Sequence, residues 1–264
     1  MSKIVCFSGK LKSGKSTASN FVFGIQMLSL ELVDYFRMAE SGKLLVPFAD
    51  GSEGELDFSA VPKEFSPGMY EFMAEKVWPY VKIYNFADTL KNILIGLFGI
   101  PWEQLYTDEG KNQPTQYKWE DMPLSKGKKG FVTGREIMEH YGTNIMRAIK
   151  DDVWVNDTFN RINAEGSEIA IIGDCRFPSE VNAIKKAGGK VIRLTRNGES
   201  DNKHVSNTAL DKENYDWSNF DAVLDNEHYD LDKQCSELLR VLKEQKILAY
   251  GIEQEDTTFR AVSV

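Results

Sequence analysis

Lys3-Ile4-Val5-Cys6-Phe7-Ser8-Gly9-Lys10-Leu11-Lys12-Ser13-Gly14-Lys15-Ser16 decides the fold. The first six residues are apolar and strand-like. Gly9 to Ser16 then fits G-x-x-x-x-G-K-[ST] at every fixed position. The glycines let the backbone turn tightly, so that successive N–H groups point at phosphate oxygens. A helix starting at Lys15 adds its positive dipole end. In such a loop Gly9, Lys12, Ser13, Gly14, Lys15, Ser16 and Thr17 are the expected nucleotide-phosphate contacts. Lys15 reaches the β/γ-phosphates and the Ser16 hydroxyl ligates Mg²⁺. The competing reading is an ordinary strand-turn-helix.

Outward from this loop, strands and helices alternate. The periodicity predicts a helix from Lys15 to about Ala39, then a Gly-, Ser- and Asp-rich insertion over 40–60 with LLVPF and ELDFS as hairpin arms. Residues 66–78 read as helical, Val81 to Phe86 as a strand and Ala87 to Phe98 as a helix. The stretch 101–132 is rich in Pro, Gly and Lys and reads as irregular, a candidate mobile segment facing substrate. Helices are expected near 133–149 and 153–163. Glu168 to Gly173 (EIAIIG) is almost wholly apolar, the mark of a parallel strand covered on both faces. Pro178 opens another helix, and Lys190 to Leu194 is a strand. Residues 196–218 are loop-like, Ala222 to Leu224 a short strand, and Leu231 to Gln245 an amphipathic helix. A loose tail is expected from about Gln254. The sum is a three-layer α/β/α protein with a central parallel sheet. One domain is expected over 1–250, with an insertion at about 40–80, an acceptor-binding region at about 87–165, a lid at about 195–218 and a tail over 251–264.

Composition bounds the function. The chain has 264 residues, 42% hydrophobic and 27% charged, with a net charge of −8. That balance is ordinary for a soluble protein, and its sign disfavours a nucleic-acid polymer as partner. No run approaches the ~20 apolar residues of a membrane span, and the N-terminus carries no leader pattern. Cys6, Cys175 and Cys235 are scattered singly, which fits reduced structural thiols in a cytoplasmic protein.

Further candidates lie at strand ends. Asp174 follows EIAIIG, where a carboxylate beside a phosphate loop can hold Mg²⁺; the bland alternative is a cap for the helix at Pro178. Arg176, two residues on, is a candidate for the transferring phosphoryl group or simply a surface residue. Asp88 and Lys91 lie at the next strand-to-helix turn, as acceptor contacts or, for Asp88, a helix cap. Arg135 and Arg147 are twelve apart on a predicted helix carrying Gly142-Thr143. They read as a phosphate clamp on one face or as ion pairs with Glu136 or Asp151. Arg193 and Arg196 close the strand KVIRL and suit a lid. His140 and His228 read as surface or cap residues, and Trp154 and Trp217 as core.

Taken together, GKLKSGKS, FADTLK, Arg135…Gly142-Thr143…Arg147, Val153-Trp154, DCRFPSE and VIRLTR resemble the bacteriophage-type deoxynucleoside monophosphate kinases. The resemblance covers roughly residues 3–246, with 40–80 poorly matched. It implies a P-loop kinase fold with helical acceptor-binding and lid segments, and the reaction ATP + dNMP → ADP + dNDP with Mg²⁺. It implies that Lys15 and Ser16 meet the ATP phosphates and metal. Asp88, Lys91, Arg135, Arg147 and Arg176 would surround the acceptor, and Arg193 and Arg196 would serve the lid. Asn226 would lie in the adenine-contacting loop. It places the protein in the cytoplasm, that of a host cell if phage-encoded. The segment after Arg196 departs from the pattern: His204-Val205-Ser206-Asn207 carries no acid after the Ser. Two other readings stay open, a phosphomevalonate-like kinase of another small phosphate monoester and a P-loop ATPase or switch. The 40–80 insertion could serve the acceptor site or a subunit contact, such as that of a homodimer.

Overall fold

A computed structural model describes residues 2–48, 51–59, 67–196 and 204–247. The expected C-terminal tail and residues 197–203 of the expected lid lie outside them. The described chain divides into two compact units, Met1–Asn85 with Phe159–Val264, and Phe86–Thr158.

The first unit is built on a five-stranded sheet. Its strands are β1 (Lys3–Ser8), β5 (Val81–Tyr84), β8 (Ile169–Cys175), β9 (Lys190–Thr195) and β10 (Ala222–Asp225). They run in the order β10-β9-β1-β8-β5, and every pair is parallel. Alternation along each strand explains the layers. Val5, Phe7, Ile169, Ile171, Ile192 and Leu194 join one buried cluster with residues of helices α1 (Lys15–Ser29) and α9 (Leu231–Glu244). The intervening Ile4, Cys6, Ala170, Ile172 and Val191 are equally buried. On their side lies α7 (Pro178–Lys186), where Val181 and Ile184 are buried. The three-layer α/β/α expectation is therefore met. EIAIIG is an interior strand, paired with β1 on one edge and β5 on the other.

Helix α1 is buried at every position from Ala18 to Met27. A surface helix would show a polar stripe. Here the far side is covered by the insertion, a three-stranded antiparallel sheet of β2 (Arg37–Met38), β3 (Leu44–Pro47) and β4 (Glu53–Leu56). The expected hairpin arms pair with Leu44 opposite Leu56. Gly24 allows the approach, because a Cβ there would lie 2.8 Å from both Leu44 and Phe36 side chains. Asn20 ties the insertion down. Its amide donates to the Gly42 carbonyl and the Asp57 carboxylate, each at 3.1 Å, and accepts the Phe58 N–H at 3.0 Å.

Helix α1 is ten residues shorter than expected, and the reason is local. Glu31 adopts φ +56°, the left-handed region. Leu32 N–H then reaches back to the Met27 carbonyl, and Glu31 N–H to that of Leu28, both at 3.0 Å. This is the helix stop that glycine usually provides. Residues 67–77 are helical as expected, with α2 (Pro67–Phe72) passing into a π turn over Met73–Val77. No helix among the described residues is long and apolar enough to cross a membrane.

Asp221, just before β10, links the end of α7 to the start of β9. Its carboxylate accepts from Lys185 at 2.7 Å, Lys190 at 3.1 Å and the Val191 N–H at 2.9 Å. Burial alone would raise its pKa, yet these donors hold it below the usual carboxylate range. Asp221→Asn is expected to cost about 2 kcal/mol, mostly the charged bond to the Val191 amide; the two lysines are too exposed to add much. A depressed carboxyl stabilises above its unfolded value of roughly 4 and loses that contribution as pH falls through the lower folded value. Denaturant melts of both proteins should therefore converge in acid. A gap that persists below the folded value would refute the assignment.

The second unit holds α3 (Asp88–Gly96), α4 (Glu103–Tyr106), the hairpin β6 (Pro114–Lys118) and β7 (Phe131–Thr133), α5 (Gly134–Glu139) and the start of α6 (Val153–Glu165). The stretch read as irregular thus contains α4, two 3₁₀ turns, β6 and the start of β7. Its signal was weak because the strand opens on Pro114 and the return lies past a Lys- and Gly-rich turn. After α5 the backbone widens into a π-helix over His140–Arg147.

Candidate active site

Because all five strands are parallel, their C-terminal ends share one edge. The sheet order reverses direction at β1, and open α/β sheets bind ligands at such points. There the loop 9–14 leaves β1, with left-handed conformations at Lys12 (φ +65°) and Gly14 (φ +98°). Gly14 occupies the N-cap of α1 and offers no side-chain cap, and the first turn contains no acid. The N–H groups and positive dipole end of a fifteen-residue helix therefore meet no opposing carboxylate of that turn. Ser16 is exposed, Lys12 is exposed and Thr17 is half-buried.

The half-buried Lys15 ammonium donates across the loop to the carbonyls of Gly9 at 2.8 Å and Lys10 at 2.6 Å. Burial lowers its pKa to about 7, helped by the positive charges of Arg176 and Arg193, while Asp174 acts in the opposite sense. Asp174 in β8, Arg176 in the turn after it and Arg193 in β9 thus all act electrostatically on Lys15. Asp174 is the second-last residue of β8, so the strand runs slightly further than expected. It does not cap α7: the N-cap is Phe177, and Glu180 accepts the N–H groups of Arg176 at 2.6 Å and Phe177 at 3.0 Å.

Arg193 lies within β9 and is 4% exposed. Its guanidinium donates to Ser8 Oγ at 3.0 Å, meets Asp211 at 3.6 Å and lies 5.3 Å from the Trp217 ring centre. Asp211 also pairs with Lys10 of the loop at 3.3 Å. Trp217, expected in the core, is instead half-buried on a 3₁₀ turn. Arg196 follows β9 and donates to the Asn226 carbonyl at 3.4 Å and to Gln234 Oε1 at 3.3 Å.

Asn226 is 1% exposed and braces the loop, its Nδ2 donating to the Ser13 carbonyl at 3.0 Å. A Cβ on Gly14 would lie 2.6 Å from Gln234 Nε2 and 3.1 Å from Asn226 Nδ2. The backbone conformation therefore favours glycine there, and a Cβ would also push the Gln234 amide aside. Ser13 Oγ, Asn226 Oδ1 and Gln234 Nε2 are buried with no hydrogen-bond partner among the described residues. Gln234, Asn207, Lys10 and Asp211 were not anticipated. Gln234 did carry a signal, a polar residue among the buried Cys235, Leu238, Val241 and Leu242 of an amphipathic helix.

Cys6 and Cys175 are buried free thiols hydrogen-bonded to each other. Burial raises both pKa values, which suits structural thiols rather than nucleophiles.

In the second unit, Asp88 lies in the first turn of α3, whose N-cap is Ala87 and which has no side-chain cap bond. Lys91 sits 4.0 Å over the Tyr106 ring. Arg135 Nε donates to Asn112 at 3.3 Å. Arg147 pairs with Asp151 at 2.6 Å, the ion pair weighed from the sequence. The two arginines are separated by the π segment, whose wider turn rotates less per residue than an α-helix, so the 3.6-residue count does not place them. His140, expected at the surface, is 2% exposed and bonds the Pro123 carbonyl at 2.7 Å. His228 is exposed and Trp154 buried, as expected.

Fold and loop define a three-layer α/β/α protein whose sheet edge is compatible with a phosphate loop. A protein of Acanthamoeba polyphaga mimivirus, named "Putative deoxynucleotide monophosphate kinase", is 27% identical to it over 134 residues. That covers 48% of this chain and 67% of the mimivirus protein. In class, the likeness is to a nucleotide kinase, a phosphotransferase. No protein-family model matches the chain.

Proposed function

We propose that this chain transfers the γ-phosphoryl group of ATP to a deoxynucleoside monophosphate. The observation that carries the reading is the cationic cluster at the loop: Lys15 beside the acid-free start of α1, with Arg176 and Arg193 close enough to depress its pKa. Asp174 and Asp211 offset part of this charge, and the depressed pKa of Lys15 marks an excess that a bound phosphate would offset. The name of the mimivirus protein supports a deoxynucleotide monophosphate as the acceptor.

The donor set suits Mg²⁺. Ser16 and Asp174 supply one hydroxyl and one carboxylate, hard oxygen ligands. No group of three or more His, Cys, Asp or Glu among the described residues could cage a metal. Mg²⁺ is typically held in that way, by one or two carboxylates together with substrate phosphates. When bound it would neutralise charge on the β- and γ-phosphates.

An acceptor phosphate oxygen is already ionised near neutral pH and needs no general base. It would attack the γ-phosphorus as the bond to the ADP oxygen breaks, and ADP leaves with that electron pair. Lys15, Arg176 and, through its buried charge, Arg193 would stabilise the moving negative charge. Arg196, Asn226 and Gln234 would keep the loop in shape. Asp88, Lys91, Arg135 and Arg147 would hold the acceptor, matching their positions in the resembling family.

The test is ADP formation from MgATP against a panel of dNMPs, NMPs and phosphomevalonate. Turnover that depends on dNMPs is expected. Steady hydrolysis with no dependence on any acceptor would replace this reading by an ATPase, and preference for phosphomevalonate would replace the acceptor class.

A further inference from the structure

Arg176 is fixed twice. Its backbone is set by Glu180, which accepts both N–H groups at the start of α7. Its side chain is set from another element. Nη1 donates to Asn207 Oδ1 at 2.7 Å, and Asn207 lies on the one-turn helix α8 (Val205–Thr208). That turn is itself anchored. His204 Nδ1 accepts the Ser206 N–H as its cap, and Asp211, just beyond, meets Lys10 at 3.3 Å and Arg193 at 3.6 Å.

The residues from 204 to 211 therefore hold three cations near the loop by two chemistries. Lys10 and Arg193 face a carboxylate. Arg176 faces a neutral amide, and it makes no ion pair among the described residues. The difference matters because a carboxylate bonded to a guanidinium competes with an incoming phosphate for the same charge. An amide oxygen orients one arm of the fork and leaves the charge unspent.

We propose that Asn207 is a positioning residue for Arg176, fixing the guanidinium through a neutral hydrogen bond so that its full positive charge is kept for a phosphate oxygen. The idea rests on the phosphoryl-transfer reading above. It assigns α8 a task in the site, that of aligning a phosphate-binding arginine without neutralising it.

The measurement compares Asn207→Asp with Asn207→Ala. Asp has the shape of Asn and keeps the acceptor oxygen, while exchanging the amide NH2 for a second oxygen and adding a negative charge. A merely structural role predicts that Ala, which loses the bond, is the worse variant. The proposal predicts the reverse order. Asn207→Asp should lower kcat and weaken inorganic tripolyphosphate binding by about tenfold or more, as an added negative charge beside the ligand would. Its Tm should equal or exceed that of the native protein. Asn207→Ala should cost about threefold in kcat and a similar factor in tripolyphosphate affinity, the worth of one ordinary hydrogen bond. Asn207→Gln, which keeps a neutral amide, should stay closer to native than Asp. Calorimetric binding of tripolyphosphate gives the order without any turnover. Native protein that binds tripolyphosphate but turns over no acceptor would overturn the proposed function alone. Asp equal to or better than Ala in that binding would overturn the role of Asn207 alone.

Discussion

Lys15→Ala is expected to lower turnover about a thousandfold, the scale of removing a principal charge-stabilising donor, without weakening the fold near neutral pH. The ammonium closes the loop through the Gly9 and Lys10 carbonyls. Those bonds favour the charged form, but burial and two neighbouring arginines outweigh them and lower the pKa to about 7. The sign follows from linkage. The unfolded lysine titrates near its ordinary value of 10.5. Between about 7 and that value the unfolded chain binds more protons than the folded one, so the native protein gains stability as pH rises. Below about pH 7 the whole penalty of the buried charge is present, and Ala removes it. The Tm difference between variant and native protein should thus favour the variant most at or below neutrality and fade towards pH 10. Binding adds a second signature. A polyphosphate restores the charged form, so MgATP binding near pH 7 to 8 should take up protons, seen as a buffer-dependent heat in calorimetry. Full turnover by a pure Lys15→Ala sample would remove the lysine from the reaction.

The sheet and the loop were legible because their signals are local. Gly9, Gly14, Lys15 and Ser16 are set by a spacing that backbone geometry demands, and Ile169 to Ile172 with Val191, Ile192 and Leu194 are apolar because β8 and β9 are covered on both faces. What escaped reading was set by partners distant in sequence or by unusual backbone. Glu31 stops α1 in a conformation that seldom belongs to a glutamate, so nothing at that position announced the end. The π segment over 140–147 broke the assumption of 3.6 residues per turn on which the Arg135–Arg147 argument rested. His140 is polar yet buried, because the Pro123 carbonyl seventeen residues away satisfies it. Within the candidate site, Asp174, Arg176 and Arg193 could be chosen as charges at strand ends. Their common influence on Lys15 could not be read, since it depends on β1, β8 and β9 lying side by side. Asn226 was chosen through family likeness, and its observed bond is to the backbone of Ser13.

Asp174→Asn should also reduce turnover by about a thousandfold, and its side effects carry opposite signs that separate a metal role from a structural one. A carboxylate that holds Mg²⁺ helps only when the metal is present. With Mg²⁺, the variant should need far more metal to reach half its residual rate. Without metal, the same carboxylate merely repels phosphate, so metal-free ATP should bind the variant a few-fold more tightly, roughly the worth of one partly screened charge. The lysine adds a pH dependence. Asp174 raises the pKa of Lys15, so its loss pushes that value below about 7. The gain in metal-free affinity should then be largest in acid, where Lys15 carries its charge in both proteins, and shrink as pH rises and recharging Lys15 costs the variant more. A helix-cap role for Asp174 would predict none of this, and the cap of α7 is already supplied by Glu180. An unchanged Mg²⁺ requirement, together with unchanged metal-free binding at pH 6, would take Asp174 out of the site and leave Ser16 without a protein partner for the metal.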